Sequence, residues 1–122
     1  MNEDLMDIFI EEAEGNIKEM ENQVGELSSA DEGVLGAMRR CAHTMKGSAA
    51  IMGLDTMSEL SKHIEEVFRR LEDGSMEYSE ELGSLLDDGV KGIRAEFEKV
   101  KTSKEDGAEG TTKLIERFNE IV

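Results

Sequence analysis

The chain has no proline and no tryptophan, one cysteine, and only one tyrosine and four phenylalanines in 122 residues. Without proline, breaks between elements must come from glycine, of which there are 12, and from capping side chains. A single thiol, Cys41, excludes an intramolecular disulfide and fits a reducing compartment. No apolar run reaches the length of about 18 residues that a membrane span requires. Met1-Asn2-Glu3-Asp4 is acidic and has neither the basic nor the apolar part of a secretory signal, so a cytoplasmic location is expected. Basic residues are scarce, 14 against 29 acidic ones, and the formal charge of −15 repels nucleic acid and anionic lipid. A Gly-rich nucleotide loop is also missing, so the chain shows no nucleotide-binding motif of its own.

The negative charge is unevenly spread. From Arg39 to Arg70, six basic residues (Arg39, Arg40, Lys46, Lys62, Arg69, Arg70) face four acidic ones (Asp55, Glu59, Glu65, Glu66), a local surplus of +2. Such a field suits a phosphoryl group or an acidic partner.

Apolar residues at three- and four-residue steps give helices and no segment alternates as a strand does. Leu5, Ile8, Phe9, Ala13, Ile17, Met20, Val24 and Leu27 predict a first helix over 3–27. Ser29, with Glu32 closing a capping box, is placed to start the second. That helix, over 31–52, carries Leu35, Met38, Ala42, Met45, Ala49 and Met52 inward and stops at Gly53. Asp55, or Thr56 with Glu59, is placed to cap a third helix with Met57, Leu60, Ile64, Val67, Phe68 and Leu71 inward, ending at Asp73-Gly74. A fourth follows Ser75, with Tyr78, Leu82, Leu85, Leu86, Val90, Ile93 and Phe97 inward. Residues 101–110 read as a linker, and Leu114, Ile115, Phe118 and Ile121 mark a short last helix over 111–121. The expected fold is all-α: an antiparallel four-helix bundle with a core over 3–98 and a short fifth helix, in one domain spanning 1–122.

The segment Cys41-Ala42-His43-Thr44-Met45-Lys46-Gly47-Ser48-Ala49-Ala50 carries most of the chemistry. His43 is rotated by about 100° from the core position Ala42, toward a side that also holds Arg39, Lys46, Gly47 and Ala50. A neutral imidazole has one lone-pair nitrogen, and an acceptor on the other N–H fixes which one it is. With a carboxylate on Nδ1–H, Nε2 becomes a nucleophile able to attack phosphorus. Lys46 is placed to neutralise phosphoryl oxygens, Arg39 to attract them from further away, and Gly47 to leave room for a partner's active site. As a surface side chain, Lys46 is expected to affect stability by no more than about 0.5 kcal/mol. The carboxylate must come from another helix, since the second has no Asp or Glu between Val34 and Met52. Glu59, Glu65 and Glu66 are the nearest in sequence, and spacing alone does not separate a functional glutamate from a solvated one.

Residues 41–65 closely resemble the histidine phosphotransfer (HPt) domain, in the form that opens chemotaxis histidine kinases of the CheA family. The opening helix, with Phe9-Ile10-Glu11-Glu12-Ala13, looks like that family's start. The Met52-Gly53-Leu54 turn favours the CheA form over a generic relay domain. The resemblance implies that His43 is the phosphoacceptor, Lys46 its neighbouring lysine, Gly47 the small residue beneath the phosphoryl group and Glu65 the glutamate that orients the ring. It implies docking on the second and third helices, where Arg39, Arg40, Ala50 and Arg69 lie. It also implies that a histidine kinase catalytic domain supplies ATP and Mg²⁺, often across a dimer, and that a response-regulator receiver Asp takes the phosphoryl group. The isolated domain is expected to be monomeric, with no bound cofactor or metal. One position departs from the family: Lys62 stands where many chemotaxis kinases have a second histidine, and it is placed to meet the phosphoryl group or Glu65.

Competing readings are a stand-alone phosphorelay protein and a helical adaptor without phosphochemistry, the latter favoured if His43 is buried. His63 reads as a helix-surface residue, Cys41 as a partly buried filler whose basic surroundings would lower its pKa, and Met38, Met45, Met52 and Met57 as core fillers. A diiron bundle needs Glu-x-x-His pairs, but Leu60 and Arg40 stand three residues before the two histidines.

Overall fold

Apolar steps of three and four residues become five helices among the described residues. The structure, a computed structural model, describes residues 3–27, 31–103 and 109–121. The helices are α1 (Glu3–Val24), α2 (Glu32–Ile51), α3 (Asp55–Asp73), α4 (Glu80–Ser103) and α5 (Glu109–Ile121), and no strand occurs among the described residues. α1 packs on α2 and α4, α3 on α2 and α4, and α5 lies across α3 and α4. The result is a four-helix bundle with a fifth helix on its side. Its core includes Phe9, Ile17 and Met20 of α1, Met38 and Met45 of α2, Leu60, Ile64 and Phe68 of α3, and Leu86, Ile93 and Phe97 of α4.

The turn from α2 into α3 positions the chemistry. Gly53 has φ 77°, its N–H donates to Ala50 O at 3.1 Å, and Leu54 N–H donates to Ala49 O at 2.9 Å. This is a Schellman turn, which satisfies the last carbonyls of α2 and reverses the chain. Leu54, buried and without a side-chain cap bond, holds the N-cap of α3, so Asp55 is the first helical residue and neither it nor Thr56 caps. The turn's backbone bonds and the burial of Leu54 already fix the chain's entry into α3.

Other boundaries also differ from the sequence expectation. Asp31, not Ser29, caps α2, its carboxylate accepting Gly33 N–H at 2.6 Å, while Ser28–Ala30 lie outside the described residues. α1 stops at Val24 before Gly25, yet Leu27 is buried beyond it. α4 begins five residues after Ser75. Ser79 Oγ accepts Leu82 N–H at 3.1 Å, whereas Ser75 N–H and Oγ donate to Asp73 at 2.8 and 2.6 Å. Tyr78 thus precedes α4 and covers Gly83 from outside. α4 takes in residues 101–103 and α5 takes in 109–110, leaving 104–108 outside the described residues.

The stripe of α1 runs through Met6, Phe9, Ala13, Ile17 and Met20, so Leu5 and Ile8 fall one position off it and are about half exposed, at 53% and 52%. Ile121, past the last core contact of α5, is also exposed. Arg94 of α4 braces α1, donating to Glu14 at 2.7 Å and Glu21 at 2.9 Å.

Two helical glycines make opposite use of their missing side chain. A Cβ on Gly89 would lie 2.9 Å from Phe118 Cζ and 3.1 Å from Ile64 Cδ1, so this notch seats α5. A Cβ on Gly47 would meet nothing within 4 Å. Gly47→Ala is therefore predicted to stabilise by about 0.5–1 kcal/mol, the ordinary helical gain. Gly89→Ala is predicted to destabilise by about 1–3 kcal/mol through overpacking. Urea midpoints at unchanged slope should move in opposite directions; a stabilised Gly89→Ala would refute the notch.

Candidate functional site

Ser58, Glu65 and Glu72 recur every two turns on one face of α3, and they meet α2 in reverse order. Glu72 accepts from Arg39 Nε, Glu65 holds His43 and Lys46, and Ser58 Oγ donates to Lys46 O at 2.8 Å. This ladder fixes the antiparallel register of the two helices. From the other side, Asn16 Nδ2 of α1 donates to Cys41 O at 2.8 Å, half a turn before His43. Position along the helices is thus set at both edges of the segment that carries the imidazole.

The Glu65 side chain is 7% exposed. Its Oε2 lies 2.6 Å from His43 Nδ1, and its Oε1 accepts from Lys46 Nζ at 2.6 Å. Burial works against the charged carboxylate, but the hydrogen bonds from Lys46 and His43 outweigh it and hold Glu65 below the usual carboxylate range. An ionised carboxylate only accepts, so in the neutral ring Nδ1 carries the proton and Nε2 the lone pair. The His43 side chain is 65% exposed. The arrangement is an oriented, solvent-facing nitrogen nucleophile with a buried anion behind it and an ammonium one turn away.

Glu65, rather than Glu59 or Glu66, is the carboxylate at the imidazole. Glu66 instead receives Arg69 and Arg70, each at 3.1 Å. Lys46, not Lys62, takes the second oxygen of Glu65, and Lys62 forms no ion pair among the described residues. Gly47 and Ala50 lie on the open surface of α2, leaving its backbone approachable next to the ring. Arg39 is bound to Glu72, so its charge is compensated, while Arg40 is exposed.

Three expectations change. Cys41 is buried, and burial followed by the negative charge of Glu19 raises its thiol pKa against the opposing pull of Arg40. His63 is largely covered, its ring stacked at 6.4 Å on Phe118 of α5. Lys46 is tied to a buried carboxylate, so it is not an energetically neutral surface residue. Ser58, Glu72 and Asn16 were missed. The first two could have been found from their seven-residue spacing about Glu65, but Asn16 has no such signal.

The family model of the Hpt domain matches residues 4–100. The chain belongs to the histidine phosphotransfer (HPt) domain family. Among curated relatives, the chemotaxis protein CheA of Halobacterium salinarum is 25% identical over 103 residues, covering 83% of this chain and 15% of its own length. CheA of Borreliella burgdorferi is 33% identical over 92 residues, covering 70% of this chain and 10% of its own. The chain therefore spans a small fraction of the length of these relatives. Among solved structures, the phosphorylated P1 domain of R. sphaeroides CheA3, in complex with CheY6, superposes with a TM-score of 0.87 at 18% identity, over 98% of this chain and 96% of that one. The solution structure of the histidine phosphotransfer domain of CheA gives 0.86 at 20% identity, over 99% and 93%. At these identities the likeness is one of fold.

Because the folded pKa of Glu65 is depressed, its contribution to stability is present above the ordinary carboxylate pKa of 4.5 and is lost as pH falls through the lower folded value. Glu65→Gln is predicted to flatten that acid limb of the stability profile and to weaken the neutral ring's preference for the Nδ1–H tautomer. Urea unfolding across the acid range and ¹⁵N spectra of the imidazole check the two effects. An unchanged acid limb would mean that Glu65 is not ionised at this site.

Proposed function

We propose that this HPt domain, taken as one unit over 1–122, is the phosphoacceptor of a chemotaxis-type two-component system in the cytoplasm. The observation that carries the reading is the oriented His43 ring, held at Nδ1 by Glu65 and exposed at Nε2. The Nε2 lone pair attacks the γ-phosphorus of ATP held by a histidine kinase catalytic domain. The N–P bond forms as the P–O bond to ADP breaks, and positive charge developing on the ring is met by Glu65. In the second step a receiver-domain carboxylate attacks the same phosphorus, and the N–P electron pair returns to Nε2. Mg²⁺ and ATP belong to the partner domains. Lys46 neutralises phosphoryl oxygens, Lys62 adds positive charge beside the site, and Gly47 and Ala50 leave space for the partner. Arg39, Arg40 and Arg69 border the docking face. Similarity to CheA supports a kinase-linked domain over a stand-alone relay protein. A helical adaptor would need no exposed imidazole, and none of its features explains the bridged Glu65. No helix among the described residues is long and apolar enough to cross a membrane, which accords with the proposed location.

Incubation with ATP, Mg²⁺ and a chemotaxis kinase catalytic domain should give acid-labile phosphate on the chain. His43→Gln should keep its helical circular dichroism and take up none; undiminished labelling would sink the assignment. Lys46→Ala is predicted to slow transfer and, by leaving one oxygen of a buried carboxylate without its donor, to cost about 1–3 kcal/mol of stability. Parental transfer rates at low ionic strength would remove Lys46 from the mechanism. Gly47→Leu should fold, since a Cβ at this position meets nothing within 4 Å, yet block transfer in both directions. Parental rates with a phosphorylated receiver would show the glycine to be incidental.

A further inference from the structure

A cleft of about 420 Å³ runs between α3 and α5 beside the Lys46–Glu65 pair. Its volume lies in the range of small-ligand sites, about 300–1,000 Å³. No aliphatic residue lines it: every lining residue carries a polar or charged group, and its apolar surface comes from the carbon atoms of those residues. Its two carboxylates are already engaged, Glu65 by His43 and Lys46 and Glu66 by Arg69 and Arg70. Its remaining donors are not. Lys62 has no ion pair and Asn119 no side-chain hydrogen bond among the described residues, and both are exposed. His63 Nε2 is 3.9 Å from Glu59 Oε1, beyond hydrogen-bond distance. In a chain of charge −15, a cleft with unmatched donors and net positive charge is a local inversion.

The cleft depends on α5. Phe118 is fully buried, stacks on His63 and fits the notch at Gly89, which places its neighbour Asn119 at the cleft wall.

We propose that this cleft binds a phosphate-type oxyanion, with Lys62 of α3 and Asn119 of α5 as its principal ligand groups. An ammonium offers a point charge with three donors, a side-chain amide offers two more, and a tetrahedral oxyanion has acceptors enough for both helices at once. The anion is either free phosphate or the phosphate chain of a nucleotide, which present the same oxygens.

The test is an amide and side-chain NMR titration of His43→Gln with inorganic phosphate, pyrophosphate and ADP, each against chloride at matched ionic strength. That variant cannot accept a phosphoryl group on the imidazole, so the outcome does not depend on the phosphoacceptor reading. Saturable shifts at Lys62, His63 and the Asn119 amide are expected. Lys62→Gln and Asn119→Ala, each added to it, should weaken binding, Lys62→Gln by roughly tenfold, as for one charge-assisted hydrogen bond. Lys62→Arg should retain binding. Binding of ADP at least as tight as that of pyrophosphate supports the nucleotide as source. Pyrophosphate binding with ADP excluded supports a free anion. Shifts that match those of chloride, or that survive unchanged in both variants, overturn the proposal.

Discussion

An ionised carboxylate placed inside a helical bundle must have its lone pairs met, because the cost of an unpaired buried charge exceeds that of most other defects a domain can carry. Glu65 meets this requirement with two donors from α2, one at each oxygen. The constraint works in both directions. The donors keep the carboxylate charged, and the charged carboxylate in turn fixes the ring's tautomer and rotation. What reads as a catalytic arrangement is therefore also the way the α2–α3 interface avoids a buried unpaired anion.

The rest of the bundle secures that interface without entering it. Arg94 and its glutamates tie α4 to α1 on a different face, and Asn16 reaches from α1 only to a backbone carbonyl. The surface of α2 beside His43 stays free of bulk at Gly47 and Ala50. Gly47 forgoes the stability an alanine would add, a cost that the proposed access of a partner to His43 would explain.

Most of the fold was legible from apolar periodicity, because Met38, Met45, Ile64, Val67, Leu86 and Ile93 sit on stripes that only a helix brings together. What periodicity could not supply was the end of each helix. Asp31 displaced Ser29 as cap through the bond its carboxylate accepts from Gly33 N–H, and Leu54 displaced Asp55 because backbone turn geometry and the leucine's own burial decided the matter. At the site, His43, Lys46 and Gly47 stood together in one segment. Glu65 could not be chosen over Glu59 and Glu66 by spacing alone and was assigned through family resemblance. The covering of His63 was illegible for a different reason: the ring over it, Phe118, lies in a helix 55 residues further along the chain.

His43 and Glu65 are separated by 22 residues, whereas Arg94 and Glu14 are separated by 80. The entropy lost in closing a chain segment grows with its length, so the imidazole–carboxylate pair is cheaper to bring together than the brace between first and fourth helices. Its contribution to the domain's mean sequence separation is correspondingly small, the property associated with fast folding. Confinement of the imidazole–carboxylate pair to a single helical hairpin, closed by the turn at Gly53, makes its geometry largely a local property of the chain. Loosening at the far ends of α1 or α4 can accordingly be tolerated without parting the ring from its carboxylate.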